Sequence, residues 1–283
     1  MPLAKPEREL VIVAHGQTDV GRRRERNEDA FLVNADIKLF LVADGMGGHV
    51  GGGFASRMAV TTIEEVIRRL SSDPDATLEE GWEWKPGDYK TLLRYAIQAA
   101  SHRIFEKATQ DASLRGMGTT AVAILIQGNT VFLANVGDSR AYLIRGGQIK
   151  QVTIDHSLVG EQLRAGVITD VDAKSHRLKN IITRSVGFQD RVEIDIDSRP
   201  IRPGDIYLLC TDGLTNLIED EELFTVVTHN SLKDACQQLI DLANERGGDD
   251  NITVLMAEAQ RTKGRKGGDI EAEEEPDEPT LEV

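Results

Sequence analysis

The sequence has no apolar run near 18 residues, which excludes an ordinary membrane-spanning helix. Its opening stretch "MPLAKPERELVIVAHG" carries charge where a secretory signal needs a continuous apolar segment, and no small-residue cleavage site follows, so the chain is expected to stay in the cytoplasm. Cysteine is scarce: Cys210 lies in an apolar strand-like run and Cys236 on the apolar face of a helix-like one. With no paired Cys/His spacing, neither a disulfide framework nor a zinc site is expected, and both thiols read as small core residues. Basic clusters are also missing. The longest is "GRRRER" in a chain of net charge −14, so the basic stripe needed to hold a phosphate backbone is absent and nucleic acid is excluded as a partner. No segment repeats with a period of 20 to 50 residues, which excludes solenoids and propellers.

The acidic excess is local. From Gly267 to Val283 there are eight acidic residues, no basic one, two prolines and few bulky apolar side chains, a composition that cannot bury enough surface to order itself. The expected organisation is one domain over residues 1–263 followed by an acidic, disordered tail over 264–283. The 40% hydrophobic content of the 283 residues suffices for a sizeable core.

Helical spacing appears three times: Met58, Ala59, Ile63, Val66, Ile67 and Leu70; Leu93, Ile97, Ala100, Ile104 and Ala108; and Leu232, Cys236, Leu239 and Ala243. Between them lie short β-branched or alternating runs such as "LFLVA", "TTAVAILIQ", "TVFLANVG", "SRAYLIRGG", "DIYLLC" and "ITVLMAEA", several joined by glycine-bearing hairpin turns. Hairpins imply antiparallel sheet, and helices that come together rather than one after each strand imply α+β layers. The expectation is two sheets packed face to face with helices on both sides. Two insertions interrupt this plan. One carries Trp82 and Trp84 at alternate positions and reads as a loop pinned to the body by its aromatics. The other, about residues 157–180, is long and polar and is a candidate flap.

Four apolar runs end in or adjoin aspartate. "LFLVADG" reaches Asp44 and then six glycines in nine residues, "DIYLLCTDG" reaches Asp212, "VFLANVGD" reaches Asp138, and the pair Asp249 and Asp250 precedes "NITVLMAEA". An Asp-Gly pair after a strand is by itself an ordinary turn signal. Recurrence is what calls for another account. Together with Asp29, acids at strand ends of one sandwich share an edge, and converging carboxylates repel unless a cation lies between them. An all-oxygen set suits Mg²⁺ or Mn²⁺, and a glycine such as Gly45 lets its carbonyl approach the same ion. Such an ion pair activates water against a phosphorus or carbonyl centre with no protein nucleophile.

The stretches "TDVGRRRERNEDAF", "VADGMGGHVGG", "GMGTTAVA", "VGDSRAYLI", "TIDHSLV", "TRSVG", "LLCTDGLTN" and "GGDDNITVLMAE" resemble, in order over about residues 10 to 259, the bacterial branch of the metal-dependent Ser/Thr protein phosphatases, the type 2C class. The resemblance implies a four-layer α-β-β-α sandwich with a binuclear Mn²⁺ or Mg²⁺ centre at one end, and hydrolysis of phosphoserine and phosphothreonine by metal-activated water. It further implies that Asp44 bridges the two ions, that the Gly45 carbonyl binds one, and that Asp212 and Asp250 complete the second. Asp29 and Glu28 match the acidic pair whose contacts are direct or water-mediated, with Asn251 supporting the set. Asp138 matches a ligand of a third, weaker ion shared with Asp212. Arg24 falls at the phosphate-binding arginine, a role its guanidinium fork suits, while Arg22, Arg23 and Arg26 read as solvated charge. Eukaryotic members often place a histidine directly after the Asp-Gly pair as the acid for the leaving oxygen. Here that position is Met46, and His49 is the nearest candidate. His156 reads as structural.

The expected protein is thus a monomeric phosphatase opposing bacterial Ser/Thr kinases and acting on their phosphorylated substrates. The alternatives are a catalytically weak relative serving as a regulatory binding module, and another two-metal hydrolase such as a phosphodiesterase or nuclease.

Overall fold

The computed structural model describes residues 10–47, 50–73, 78, 82–169, 172–173 and 176–261. One five-stranded antiparallel sheet runs in the order β1 (Leu10–Asp19), β11 (Ile252–Arg261), β10 (Ile206–Cys210), β7 (Arg140–Arg145) and β8 (Gln148–Gln151). The second runs β2 (Asp29–Asn34), β3 (Leu39–Met46), β5 (Ala121–Gln127), β6 (Thr130–Val136) and β9 (Asp195–Pro200), with the two-residue β4 (Gly118–Thr119) paired to the end of β3. The helices are α1 (Gly51–Ser72), α2 (Tyr89–Gln110), α3 (Leu158–Arg164), α4 (Asp212–Thr215), α5 (Asp220–His229) and α6 (Leu232–Glu245).

Alternation along the strands sorts the side chains into three apolar layers. Phe40, Val42, Val122, Ile124, Tyr207, Leu209 and Leu255 fill the space between the sheets. The opposite face of β3 and β5 (Leu39, Leu41, Ala123, Leu125) packs on Ile63 and Ile67 of α1 and Leu93 and Ile97 of α2. On the other side, Leu208, Cys210, Val254 and Met256 pack on Leu223 of α5 and Cys236, Leu239 and Ala243 of α6. Each fully buried Val, Leu or Ile contributes roughly 1.5–3 kcal/mol relative to exposure, and three stacked layers of them hold the sandwich edge rigid. The expected four-layer α+β architecture is therefore present. Both cysteines are free and buried, as read from the sequence.

Four local features differ from or sharpen the sequence reading. The ten-residue β1 was not among the expected strands, since its "HGQTD" half carries little apolar pattern. It is held by a full antiparallel register to β11, from Leu10↔Arg261 to Asp19↔Ile252. The charged β9, "DIDSRP", escapes the pattern likewise because it lies at a sheet edge beside β6. The first helix begins earlier than its apolar spacing shows, since Gly51, Gly52 and Gly53 are buried at the start of α1. The Trp82 ring meets Tyr95 of α2 edge-on, centroids 5.2 Å apart, and both tryptophans pack on the α1–α2 core, so the insertion is pinned as expected. Among the described residues no helix is long and apolar enough to cross a membrane. The tail expected over 264–283 lies outside the described residues.

Candidate active site

A cleft of about 480 Å³ opens at one end of the sandwich, and Asp44, Asp138, Asp212 and Asp250 all line it, with Arg24, Glu28, Gly45 and Asn251. Sheet pairing explains the convergence. Asp29 opens β2 directly opposite Asp44, which lies inside β3 rather than at its end. Asp138 sits in the turn between β6 and β7, Asp212 begins α4 right after β10, and Asp250 immediately precedes Asn251 and β11. Among the described residues no three Asp, Glu, His or Cys groups lie close enough to hold an ion as they stand; four of the acids line the cleft, and the buried Asp29 pairs with Asp44 beneath it.

Threonine hydroxyls that were not singled out from the sequence, and the Asn251 amide that was, hold these acids in place. Asp29 Oδ2 accepts from Thr211 Oγ1 at 2.9 Å and Thr253 Oγ1 at 2.6 Å, which joins the first strand of one sheet to two strand ends of the other. Asp44 N–H donates to Thr120 Oγ1 at 2.9 Å, and the Asp44 carbonyl accepts from Thr119 Oγ1 and Thr120 N–H, both at 2.8 Å. Asn251 accepts Glu28 N–H at 2.8 Å and donates to the Val20 and Arg26 carbonyls, so one side chain staples the arginine-rich loop to the start of β11. The only sequence signal for the threonines was their place inside the recurring "GMGTTAVA", "LLCTDG" and "DDNITV" stretches.

Gly45 is where close backbone approach is required. A Cβ there would lie 2.1 Å from the Gly52 carbonyl oxygen and 2.5 Å from that of Glu28. The Glu28 carboxylate presses on the same spot, with Oε2 2.6 Å from where a Gly52 Cβ would stand. Gly45→Ala is therefore expected to lower stability by more than about 3 kcal/mol, since all the clashing atoms are fixed backbone. A denaturant titration checks this, and a change below about 1 kcal/mol would contradict the packing.

The electrostatics are those of carboxylates crowded into a floor that water reaches from one side only. Burial, with Asp212 and Asp250 adding repulsion, pushes the Asp29 carboxyl up to about 7 despite its two threonine donors. Burial and the neighbouring Asp212 push Asp138 up to about 8. Asp44 is raised furthest, by burial first and then by Asp29, Asp212 and Asp138. Asp212 is raised chiefly by burial and Asp250, with its contact to Asp44 pulling the other way. Asp29 Oδ1 and Asp212 Oδ1 are buried without a hydrogen-bond partner among the described residues.

Arg24 is found at the cleft as expected but is already engaged, its Nη2 donating to Asp250 Oδ2 at 2.7 Å across a gap of 226 residues in the chain. No local spacing reveals that pair. The half-exposed guanidinium keeps its remaining N–H groups for another acceptor, and exposed pairs of this kind contribute only about 0–1 kcal/mol. Met46 lines the cleft. His49 lies outside the described residues. His156, read as structural, is buried, with Nδ1 accepting from Gly137 N–H at 3.1 Å. The expected flap begins with α3, N-capped by Ser157 Oγ, and ends where Asn180 and Ile182 reach the cleft.

A two-sheet sandwich with helices on both faces thus carries, at one end, an acid-lined cleft bordered by an arginine. A model of the family "Protein phosphatase 2C" matches residues 17–252. The chain is 40% identical over 260 residues to the serine/threonine phosphatase stp of Listeria welshimeri, covering 90% of this chain and 98% of that protein. It is 39% identical over 243 residues to protein phosphatase PhpP of Streptococcus pneumoniae, covering 84% and 94%. Among solved structures it is similar to the Mycobacterium tuberculosis serine/threonine phosphatase PstP/Ppp, with a TM-score of 0.79 and 34% identity over 89% of this chain and 100% of that one. It is also similar to the PstP catalytic domain in complex with two manganese ions, with a TM-score of 0.77 and 33% identity over 89% and 99% of the two chains. The chain belongs to the protein phosphatase 2C family and is a metal-dependent protein-serine/threonine phosphatase.

Proposed function

We propose that these aspartates hold two Mn²⁺ or Mg²⁺ ions, with Asp44 shared between them, and that phosphoserine and phosphothreonine side chains are hydrolysed there. Asp29, Asp212, Asp250 and the Gly45 carbonyl complete the set in this reading, and Asp138 with Asp212 holds a third, weaker ion. One observation carries it: carboxylates forced up in pKa by burial and one another, two of them with an orphaned buried oxygen, are a poor arrangement unless divalent charge replaces the protons. The donor set fits, being all oxygen and without thiol or imidazole, as hard cations require. When bound, such an ion pair lowers the pKa of water and supplies the nucleophile at neutral pH.

The chain's own residues do the rest. The Arg24 fork binds two phosphate oxygens as its single contact to Asp250 yields. The threonine hydroxyls fix the Asp29 carboxylate directly and Asp44 through its backbone N–H and carbonyl, which limits the reorganisation that accompanies the reaction. The Asn180–Ile182 edge of the flap walls the cleft on the side where a phosphopeptide lies. His49 remains the candidate acid for the leaving oxygen. Glu28 and Asn251 hold the Asp29 and Asp250 segments in register. The physiological reading is a monomeric cytoplasmic enzyme that reverses Ser/Thr kinase action.

The direct test is hydrolysis of p-nitrophenyl phosphate and a phosphothreonine peptide, each abolished by chelator and restored by Mn²⁺. Turnover of bis-p-nitrophenyl phosphate without turnover of the peptide would favour a phosphodiesterase instead. Arg24→Ala is expected to raise KM for the peptide about tenfold with a smaller loss in kcat, since the contact holds the phosphate before as well as during reaction. Arg24→Lys recovers only part of the loss because an ammonium lacks the fork. An unchanged KM would remove Arg24 from the site.

A further inference from the structure

The turn that carries Asp138 is held from two sides. On one side Gly137, at φ +105°, packs on Thr120 so closely that a Cβ would lie 2.6 Å from Thr120 Cγ2. Thr120 Oγ1 meets Ser139 Oγ at 2.7 Å while also accepting from Asp44 N–H. On the other side stands His156, which is 2% exposed. Its backbone N–H donates to the Gly137 carbonyl at 2.9 Å, and its ring Nδ1 accepts from Gly137 N–H at 3.1 Å, so both polar groups of that glycine end on one residue.

That contact fixes the tautomer. An Nδ1 that accepts carries no hydrogen, which puts the proton on Nε2, directed at Asp195 Oδ2 3.2 Å away on β9. Arg184 Nη1, a second donor 3.3 Å from Nε2, is turned to the other oxygen of the same carboxylate at 3.0 Å. The His156 carbonyl meanwhile accepts from Thr183 N–H at 2.8 Å. Thr183 follows Ile182, which pairs with Ser157 across the base of the flap and lines the cleft. One buried side chain and its backbone therefore tie the Asp138 turn to the returning edge of the flap. An unbroken series of contacts runs from Asp44 through Thr120, Gly137 and His156 to Thr183.

We infer that His156 is a positioning residue that couples the flap to the Asp138 turn, so that the seating of a peptide against the flap and the placement of the Asp138 carboxylate depend on each other. This rests on the phosphatase reading of the cleft but adds a role for a residue that touches neither substrate nor the acids. An aliphatic filler would give the packing alone. A side chain with an acceptor on one edge and a donor on the other is needed only if the turn and the β9–flap junction must keep a fixed relation.

The experiment compares His156→Asn, His156→Gln, His156→Ala and Asp195→Ala with wild type, each first checked for cooperative unfolding. Asn places its Oδ1 near the position of Nδ1 and can still accept from Gly137 N–H. Gln reaches towards Asp195 but offers no acceptor at the Nδ1 position. Asp195 is half-exposed at a sheet edge, so its truncation perturbs the ring without opening the core. For Ala and Gln at position 156, kcat/KM on a phosphothreonine peptide is expected to fall about 10- to 100-fold, the usual cost of losing an outer partner. The Mn²⁺ concentration needed for half-maximal peptide turnover should rise alongside it. Turnover of p-nitrophenyl phosphate, which does not reach the flap, should stay within about twofold, and His156→Asn and Asp195→Ala, which both keep the Gly137 contact and lose the one to Asp195, should fall between wild type and Gln on the peptide. Equal losses on both substrates, or Asn no better than Gln, would overturn the coupling and leave His156 as packing. If wild type itself lacked Mn²⁺-dependent turnover of p-nitrophenyl phosphate, the phosphatase reading of the cleft would fail instead, a separate outcome.

Discussion

Asp44→Asn is expected to abolish turnover while making the metal-free protein more stable. The loss follows from removing the carboxylate proposed to be shared by the two ions, which would be worth several kcal/mol in the transition state, or at least about 10³-fold in rate. The gain follows from the same position. In the wild-type chain Asp44 is the most strongly raised of the acids, pressed by burial and by Asp29, Asp212 and Asp138. A neutral amide of the same shape removes that repulsion and can still donate towards Asp212. Its backbone contacts to Thr119 and Thr120 do not involve the side chain and persist. The melting temperature in chelator should therefore rise by a few degrees, corresponding to about 1 kcal/mol, whereas in Mn²⁺ wild type should melt higher than the variant. Thermal melts in chelator and in Mn²⁺, beside a p-nitrophenyl phosphate assay, check both halves. A variant that is less stable than wild type in chelator would show that Asp44 serves the fold rather than the site.

The second large effect is a dependence of stability on pH that Mn²⁺ reverses. Asp29 at about 7 and Asp138 at about 8, with Asp44 and Asp212 also raised, titrate in the native state well above the ordinary unfolded value near 3.9. Between about pH 4 and pH 8 the native state binds more protons than the unfolded one, so the stability of the metal-free protein falls as pH rises through that window. Glu222, held down to about 2 by Arg246, acts with the opposite sign only at the acid edge, below its ordinary value near 4.5, and His156, lowered by burial from its ordinary 6.5, opposes the trend below that value without outweighing four raised acids. Ions that take the place of those protons bind more tightly as pH rises, by about tenfold per pH unit for each proton displaced. The Mn²⁺-induced rise in melting temperature should thus be markedly larger at pH 8 than at pH 6. A rise that is equal at both, or a metal-free stability flat from pH 5 to pH 8, would mean that the acids are not coupled as the geometry places them.

Periodicity and turn chemistry made most of the fold legible, because apolar layers impose repeats of 2 and 3.6 that survive in "LFLVA" and in the Ile63, Ile67, Leu70 face. What escaped has a physical reason in each case. β1 is stabilised by its register with β11 rather than by its own side chains, and β9 is an edge strand whose charged residues leave no apolar alternation. The glycines of α1 are there for close approach to Gly45 and Glu28, a tertiary requirement that apolar spacing does not show. Within the site, the acids announced themselves by recurring after apolar runs, and Asp29, Asp44, Asp138, Asp212 and Asp250 do come together. The threonines that hold them did not, since Thr120, Thr211 and Thr253 act through contacts that cross between strands far apart in sequence. The Arg24–Asp250 pair and the double contact of His156 to Gly137 are likewise long-range. His156 lies in a stretch that looked like an ordinary strand end, and only the fold brings both of its ring nitrogens to partners.

The most direct test of the two-ion centre is a calorimetric Mn²⁺ titration of the full chain at pH 7 in buffers of different ionisation enthalpy. The proposed centre predicts two tight ions per chain and a heat that varies with buffer, because the raised Asp29 and Asp44 carboxyls would surrender protons as the ions bind. Asp44→Asn should bind fewer than two tightly. Two tight ions retained by Asp44→Asn, or no tight Mn²⁺ in the wild-type protein, would contradict the assignment of this cleft.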